Sequence, residues 1–209
     1  MAASSASRLA MQLKEYFDQL APTWDKELTR ERLNSLGNIV KELGIELGWH
    51  VLDIGSGTGV LLPFLIAELG DKGKVVALDF SAEMLVQAQA KNFPAIVDFA
   101  QADVFAIPLA NNALDLAICN SAFPHFGDKV KALAEIARVL KNKGRLVICH
   151  TMGREILNQL HQSIGGAVAN DLLPDELQVR QIIRQVGLKI TRFEDNPQRY
   201  LVIAEKSTR

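Results

Sequence analysis

The run Val51-Leu52-Asp53-Ile54-Gly55-Ser56-Gly57-Thr58-Gly59 constrains this chain more than any other, because an apolar strand carries an acid near its end and leads into three alternating glycines. Glycine is needed where the backbone turns through positive φ, or where no Cβ may separate the main chain from a ligand. A helix expected from Val60 to about Leu69 directs its N-terminal amides at the same point. Strand end, loop and helix start together outline a nucleotide-sized pocket. A dinucleotide site of this kind wants Gly-x-Gly-x-x-Gly or Ala. Gly55 and Gly57 fit that spacing, but the third small position is Val60, and the third glycine comes one residue early at Gly59.

Further along, strand-like and helix-like runs alternate. Lys74–Asp79 is a short apolar strand that also ends in an acid; Ser81 reads as the N-cap of a helix through Met84 to about Asn92. Ile96–Gln101, Leu114–Cys119 and Gly144–His150 read as strands, and Asp128–Lys141 as a helix. That rhythm means right-handed βαβ units and a parallel sheet. The end breaks the pattern: a helix over Pro174–Val186 precedes two strands, Leu188–Glu194 and Arg199–Glu205, whose connection is short enough to force an antiparallel pair.

Composition bounds the function. A chain of 209 residues, 48% hydrophobic and 22% charged, is an ordinary globular domain that buries about 70% of its unfolded surface. A formal net charge of −1 with no basic block leaves no footprint for nucleic acid and favours a small-molecule partner. The two cysteines, Cys119 and Cys149, lie in apolar runs and read as buried thiols. No apolar run reaches membrane-spanning length and no secretion signal opens the chain, so a cytoplasmic location is expected. The opening Met1–Arg8, rich in serine, reads as a disordered terminus.

With its acid before a tight Gly-x-Gly-x-Gly loop and a reversed C-terminal hairpin, the sequence resembles the class I S-adenosylmethionine-dependent methyltransferases. The segment Tyr16-Phe17-Asp18-Gln19-Leu20-Ala21-Pro22-Thr23-Trp24-Asp25 is similar to the lead-in of ubiquinone/menaquinone-type and related small-molecule methyltransferases. The resemblance implies a Rossmann-like three-layer sandwich around a seven-stranded, mostly parallel sheet. It also implies one methyltransferase domain over 1–209, with a helical lid (1–48), a cofactor core (49–150), a substrate cap (151–173) and a final helix and hairpin (174–209).

The cofactor it implies is S-adenosylmethionine, held by Asp53, Gly55, Ser56, Gly57 and Gly59, with Asn120 and Ser121 facing the same ammonium group as Asp53. Asp79 sits at a strand end where its carboxylate can accept from both ribose hydroxyls. Phe80 and Met84 follow beside it, Phe80 in place to lie against adenine, while Asp103 and the Val104 amide supply the acceptor and donor that adenine needs. Tyr16 and Trp24 would face the acceptor, and excluding water around a sulfonium has a physical use.

Methyl transfer needs a base only for a hydroxyl or a carbon acid. His125 and His150, after the fourth strand and at the end of the fifth, can hold a proton near neutral pH; Arg154 and His161 lie in the cap, where a guanidinium can clamp an anionic substrate. Each of these also fits a purely structural role. The spacings of Cys149, His150, His161 and His125 match no compact zinc pattern, and no metal is expected. Asn120-Ser121-Ala122-Phe123 lacks the prolines of nucleobase and amide methylases, which points to a small acceptor. Three rivals stand beside this reading. They are a sensor or partner subunit that binds the cofactor without turnover, a methyltransferase for protein or RNA, and a nicotinamide-dependent reductase, for which no Tyr-x-x-x-Lys pair is present. The oligomeric state is undetermined.

Overall fold

The computed structural model describes residues 5–208. Its strands are β1 (His50–Ile54), β2 (Lys74–Asp79), β3 (Val97–Gln101), β4 (Leu114–Asn120), β5 (Leu140–His150), β6 (Leu188–Asn196) and β7 (Arg199–Lys206). They form one seven-stranded sheet in the order β3-β2-β1-β4-β5-β7-β6. Neighbours from β3 to β5 pair in parallel, and β7 runs antiparallel to both β5 and β6. The mostly parallel sheet with a reversed C-terminal hairpin is therefore as the residues predict.

Side-chain alternation along the strands builds the three layers. Ala117, Cys119, Leu146, Ile148, Val202 and Ala204 face one cluster, with α5 (Lys129–Val139) and α7 (Glu176–Gln185) packed on it. Leu116, Ile118, Val147, Cys149, Leu201 and Ile203 face the other, covered by α2 (Arg30–Glu42) and α3 (Leu62–Leu69). Both cysteines are buried and free, on opposite faces of the sheet. The remaining helices are α1 (Ser5–Leu20), α4 (Ala82–Gln89) and α6 (Arg154–Ile164).

Several element boundaries differ from the sequence reading. α3 begins at Leu62, two residues later than expected, because the chain leaves the glycine loop through bends at Val60 and Leu61 and Pro63 sets the first helical turn. The chain is already helical from Ser5, which corrects the expected disorder of Ser5–Arg8; the first four residues lie outside those described. Register carries the hairpin two residues further, to Asn196 opposite Arg199, so Pro197 and Gln198 alone form its turn. Caps set the other helix starts: Ser81 accepts from the Met84 amide, Asp128 from that of Lys131, and Asp175 forms a reciprocal capping box with Gln178.

Gly153 ties the start of α6 to that hairpin. Its φ of −72° suits any residue, but a Cβ there would lie 2.2 Å from the Asn196 carbonyl oxygen. That obstacle is main chain, so the hairpin turn or α6 must move. Gly153→Ala is expected to lower stability by about 2–3 kcal/mol in denaturant unfolding with an unchanged m-value. A loss below the scatter of replicate curves would show that the contact relaxes freely.

Candidate cofactor and acceptor site

The sheet order reverses between β1 and β4, and ligands of open α/β sheets sit outside the strand carboxyl ends at such a point. Gly55, Gly57 and Gly59 all take positive φ there, at 68°, 55° and 81°. The amides of Gly55 and Ser56 both donate to the Leu78 carbonyl, at 2.8 and 3.0 Å, which pins the loop to β2. Gly55 is also a close-approach glycine, since a Cβ on it would lie 2.4 Å from the Ala122 Cβ.

Asp79 braces this loop from the end of β2. One carboxylate oxygen accepts from the Gly57 amide at 2.8 Å, and the other from the Ser81 amide at 2.9 Å. Each oxygen keeps a second lone pair for a ligand hydroxyl. Burial raises the Asp79 pKa, opposed by the amides of Ser81, Gly57 and Phe80. Phe80 is half-buried, and Met84 places its sulfur near Gly57.

Under the loop lie polar atoms with nothing to bond. Asp53 Oδ2 and Ser56 Oγ are sealed from solvent and have no hydrogen-bond partner. Such groups are rare in folded proteins and call for a physical reason, such as a ligand, an ion, a water or a catalytic role. Burial, with Asp79 adding repulsion, pushes the Asp53 carboxyl up to about 8. A ligand ammonium would supply the donor that Asp53 Oδ2 lacks, so the residues present fit the amino-acid end of S-adenosylmethionine. Asn120 and Ser121 follow at the end of β4; Ser121 holds a left-handed φ of 58° and donates its amide to the Cys149 carbonyl.

The raised pKa has a measurable consequence. At pH 7 the carboxyl is mostly protonated, and an ammonium partner requires it ionised. Binding is therefore expected to release close to one proton per site, read by calorimetry in buffers of different ionisation enthalpy, and to release none in Asp53→Asn. Zero release by the wild type would mean that the acid is already ionised. Because the folded pKa lies above the unfolded 3.8, the contribution of this group to stability is full below about pH 4 and is lost as pH rises toward 8.

Asp103 is exposed and its Oδ1 accepts from the Phe105 amide at 3.0 Å, which leaves Oδ2 free beside the buried Val104. The N-terminal segment crosses the same elements. Asp18 accepts from the Ser81 hydroxyl at 2.6 Å, and Asp25 accepts from that of Thr58 and pairs with Lys91. Between them Phe17 packs edge-on against Tyr16, Trp24, Phe80 and His125, with ring centres 5.0–6.0 Å apart. Tyr16 and Trp24 thus reach the site through Phe17, which the sequence reading did not single out. Nothing local in the chain signals that Asp18 meets a residue 63 positions away.

Beyond β4 and β5 the histidines converge. His125 ends the 3-10 segment Phe123–His125 and meets Asp171 Oδ2 through Nδ1 at 2.7 Å. His161, on α6, meets the Asp171 carbonyl through its own Nδ1. The two imidazoles lie 5.1 Å apart. His150, at the tip of β5, is 2% exposed and its Nε2 has no partner. Burial, with His125 and His161 nearby, lowers its pKa to about 3, so it stays neutral at physiological pH. Asp171 carries no motif and sequence reasoning missed it. Arg154 is paired within the fold: Asp195 of β6 accepts from its Nε at 3.0 Å and from its backbone amide at 3.1 Å. Among the described residues no three His, Cys, Asp or Glu side chains are grouped to hold a metal.

Acid-tipped parallel strands, a glycine loop at the reversal of strand order and an antiparallel final hairpin define the class I methyltransferase type. A family profile described as "Methyltransferase domain" matches residues 45–186, and the chain belongs to that family. Its cofactor is S-adenosylmethionine. A S-adenosylmethionine-dependent methyltransferase from Aquifex aeolicus superposes with a TM-score of 0.70 at 26% identity, covering 92% of this chain and 97% of that one. A Haloferax volcanii methyltransferase solved with the Trm112 activator shares the fold, with a TM-score of 0.79 at 20% identity over 92% of this chain and 98% of its own. The demethylmenaquinone methyltransferase of Lactiplantibacillus plantarum is 32% identical over 157 residues, which are 70% of this chain and 65% of that protein. The chain thus spans less than two thirds of that relative, and only 37% and 60% of two others.

Proposed function

We propose that the protein transfers the methyl of S-adenosylmethionine to a small-molecule acceptor and releases S-adenosylhomocysteine. The observation that carries this reading is the pair of unpartnered buried atoms, Asp53 Oδ2 and Ser56 Oγ, beneath a glycine loop that Asp79 braces. The bound cofactor supplies an electrophilic methyl on a sulfonium. The chain's own part is to hold the amino-acid end at Asp53, accept the ribose hydroxyls at Asp79 and read adenine with Asp103 and the Val104 amide. Asn120 and Ser121 complete the ammonium side, and Phe80 and Met84 lie against the purine. Residues 5–48, the described part of the expected 1–48 lid, serve as lid and 151–173 as cap, with Phe17 excluding water between them. Alignment of acceptor, methyl and sulfur then contributes most of the acceleration.

A small acceptor is favoured because the charged groups at the rim are already engaged. Lys14 pairs with Asp18, Lys91 with Asp25 and Arg154 with Asp195. The open cationic groove, with Arg138, Arg180, Arg184 and Lys189, lies at the other end of the strands, where a nucleic acid would be far from the methyl. Relatives named for demethylmenaquinone make a quinol-like ring one acceptor to try first. No described helix is long and apolar enough to cross a membrane; a cytoplasmic location is part of the same proposal.

Calorimetric titration with S-adenosylmethionine, S-adenosylhomocysteine and NADH, followed by a labelled-methyl screen over phenols, amines and thiols, tests it. Binding of both sulfur ligands and not NADH, with transfer to one acceptor class, is expected. Tight NADH binding, or no sulfur-ligand binding, would overturn the assignment; binding without any transfer would favour the sensor role.

A further inference from the structure

We propose that His125 and Asp171 form a base dyad, His125 taking the acceptor's proton and Asp171 positioning it, so that the acceptor is an acidic hydroxyl or enol. This rests on the methyl-transfer reading above. One residue, Asp171, orders both imidazoles beyond β4: its carboxylate accepts from His125 Nδ1 and its carbonyl from His161 Nδ1. A carbonyl can only accept, so His161 carries its hydrogen on Nδ1 and its lone pair on Nε2. The carboxylate sets the same tautomer on His125. Among the described residues neither Nε2 has a hydrogen-bond partner.

His125 sits where a base is needed. Its ring packs against Phe17, and Phe17 in turn packs against Phe80 beside the cofactor loop, so one shared ring joins the imidazole to the cradle. The charged or titratable groups around it are Asp171 from the loop after Val168, His161 from α6, Lys129 from α5 and His150 from β5. The Lys129 amine is directed into the carbonyls of Pro124 and Phe126. Burial lowers the His125 pKa, Asp171 raises it, and His161 and Lys129 lower it, which leaves the ring neutral and able to accept.

An amine or thiolate acceptor needs no such device, because its lone pair is already nucleophilic. A phenol or enol does need it. The acceptor O–H gives its proton to His125 Nε2, and the oxygen, or the conjugated carbon of an enolate, forms the new bond to the methyl carbon. The carbon–sulfur bond breaks with its electrons staying on sulfur, which becomes a neutral thioether. The imidazolium left behind is stabilised by the Asp171 carboxylate and gives its proton to solvent as the product leaves.

The test uses the full chain with S-adenosylhomocysteine bound, and para-nitrophenol as probe against nitrobenzene, the same ring without the hydroxyl. Para-nitrophenol is expected to bind about tenfold or more tightly than nitrobenzene. Its visible phenolate band should be displaced by about one pH unit or more from its position in free solution. His125→Gln and Asp171→Asn should each abolish that preference and return the band to its solution pH, a shift that a merely structural role would not produce. S-adenosylhomocysteine affinity of each variant reports whether the cradle is intact; should His125→Gln not fold, Asp171→Asn carries the comparison alone. Failure of the wild type to bind S-adenosylhomocysteine overturns the methyltransferase reading and the dyad with it. Binding of that ligand with no preference for the hydroxyl, or a preference that survives the variants, overturns the dyad alone.

Discussion

Asp79→Asn is expected to weaken S-adenosylmethionine binding by about 100-fold or more in calorimetric titration, while the protein remains folded. Both carboxylate oxygens already accept backbone amides, from Gly57 and from Ser81. An asparagine must turn its NH2 toward one of those amides, donor against donor. Leaving one buried amide unpaired costs about 1–3 kcal/mol, and removing a charge whose burial is itself unfavourable offsets part of that. Binding has no such offset. The two charge-assisted hydrogen bonds proposed to the ribose hydroxyls would contribute about 1.5–3 kcal/mol each, and the substitution would weaken one and invert the geometry of the other. Binding within about tenfold of wild type would mean that Asp79 only braces the loop.

Gly55→Ala should produce the largest loss of stability of any single methyl addition at the site, about 3–5 kcal/mol in denaturant unfolding. Two costs add there: the left-handed φ of 68°, and a Cβ 2.4 Å from that of Ala122. Gly57 separates them, because it shares the left-handed backbone while its nearest atom, Met84 Sδ, is 3.9 Å away. Gly57→Ala should thus cost only the conformational part, about 1–2 kcal/mol. Pairing Gly55→Ala with Ala122→Gly should recover the steric part and show non-additivity in a double-mutant cycle. Equal losses at the two glycines would show that close approach to Ala122 contributes nothing. Domains of this size are stable by only about 5–15 kcal/mol, so the Gly55 variant sits near the limit of folding.

The fold was legible from the residues because each part of the pattern is local. β2 and the Ser81 cap fall where apolar runs and a capping side chain place them, and the short connection after β6 forces the antiparallel pair. α3 starts two residues beyond Val60, where the sequence pattern places it, because valine continues a helical pattern while the chain still bends through Val60 and Leu61. Arg154 fits either a substrate clamp or a structural role by sequence, and nothing local signals that Asp195, 41 positions away, holds it.

What the sequence alone determined was the strand-loop-helix unit at Gly55–Gly59 and the two acids that end or nearly end β1 and β2. Glycine's access to positive φ and the period-two burial of strands act within a few residues and leave a direct mark on the chain. The tertiary structure decided the rest: Asp171 joining two histidines, Phe17 bridging Phe80 and His125, and Asp18 and Asp25 reaching the cofactor loops. Those contacts depend on how the segment before β1 and the segment after β5 cross the carboxyl edge of the sheet. Hydrogen bonds and ring contacts between segments leave no periodic trace in the sequence, because any donor, acceptor or aromatic ring of suitable reach satisfies them.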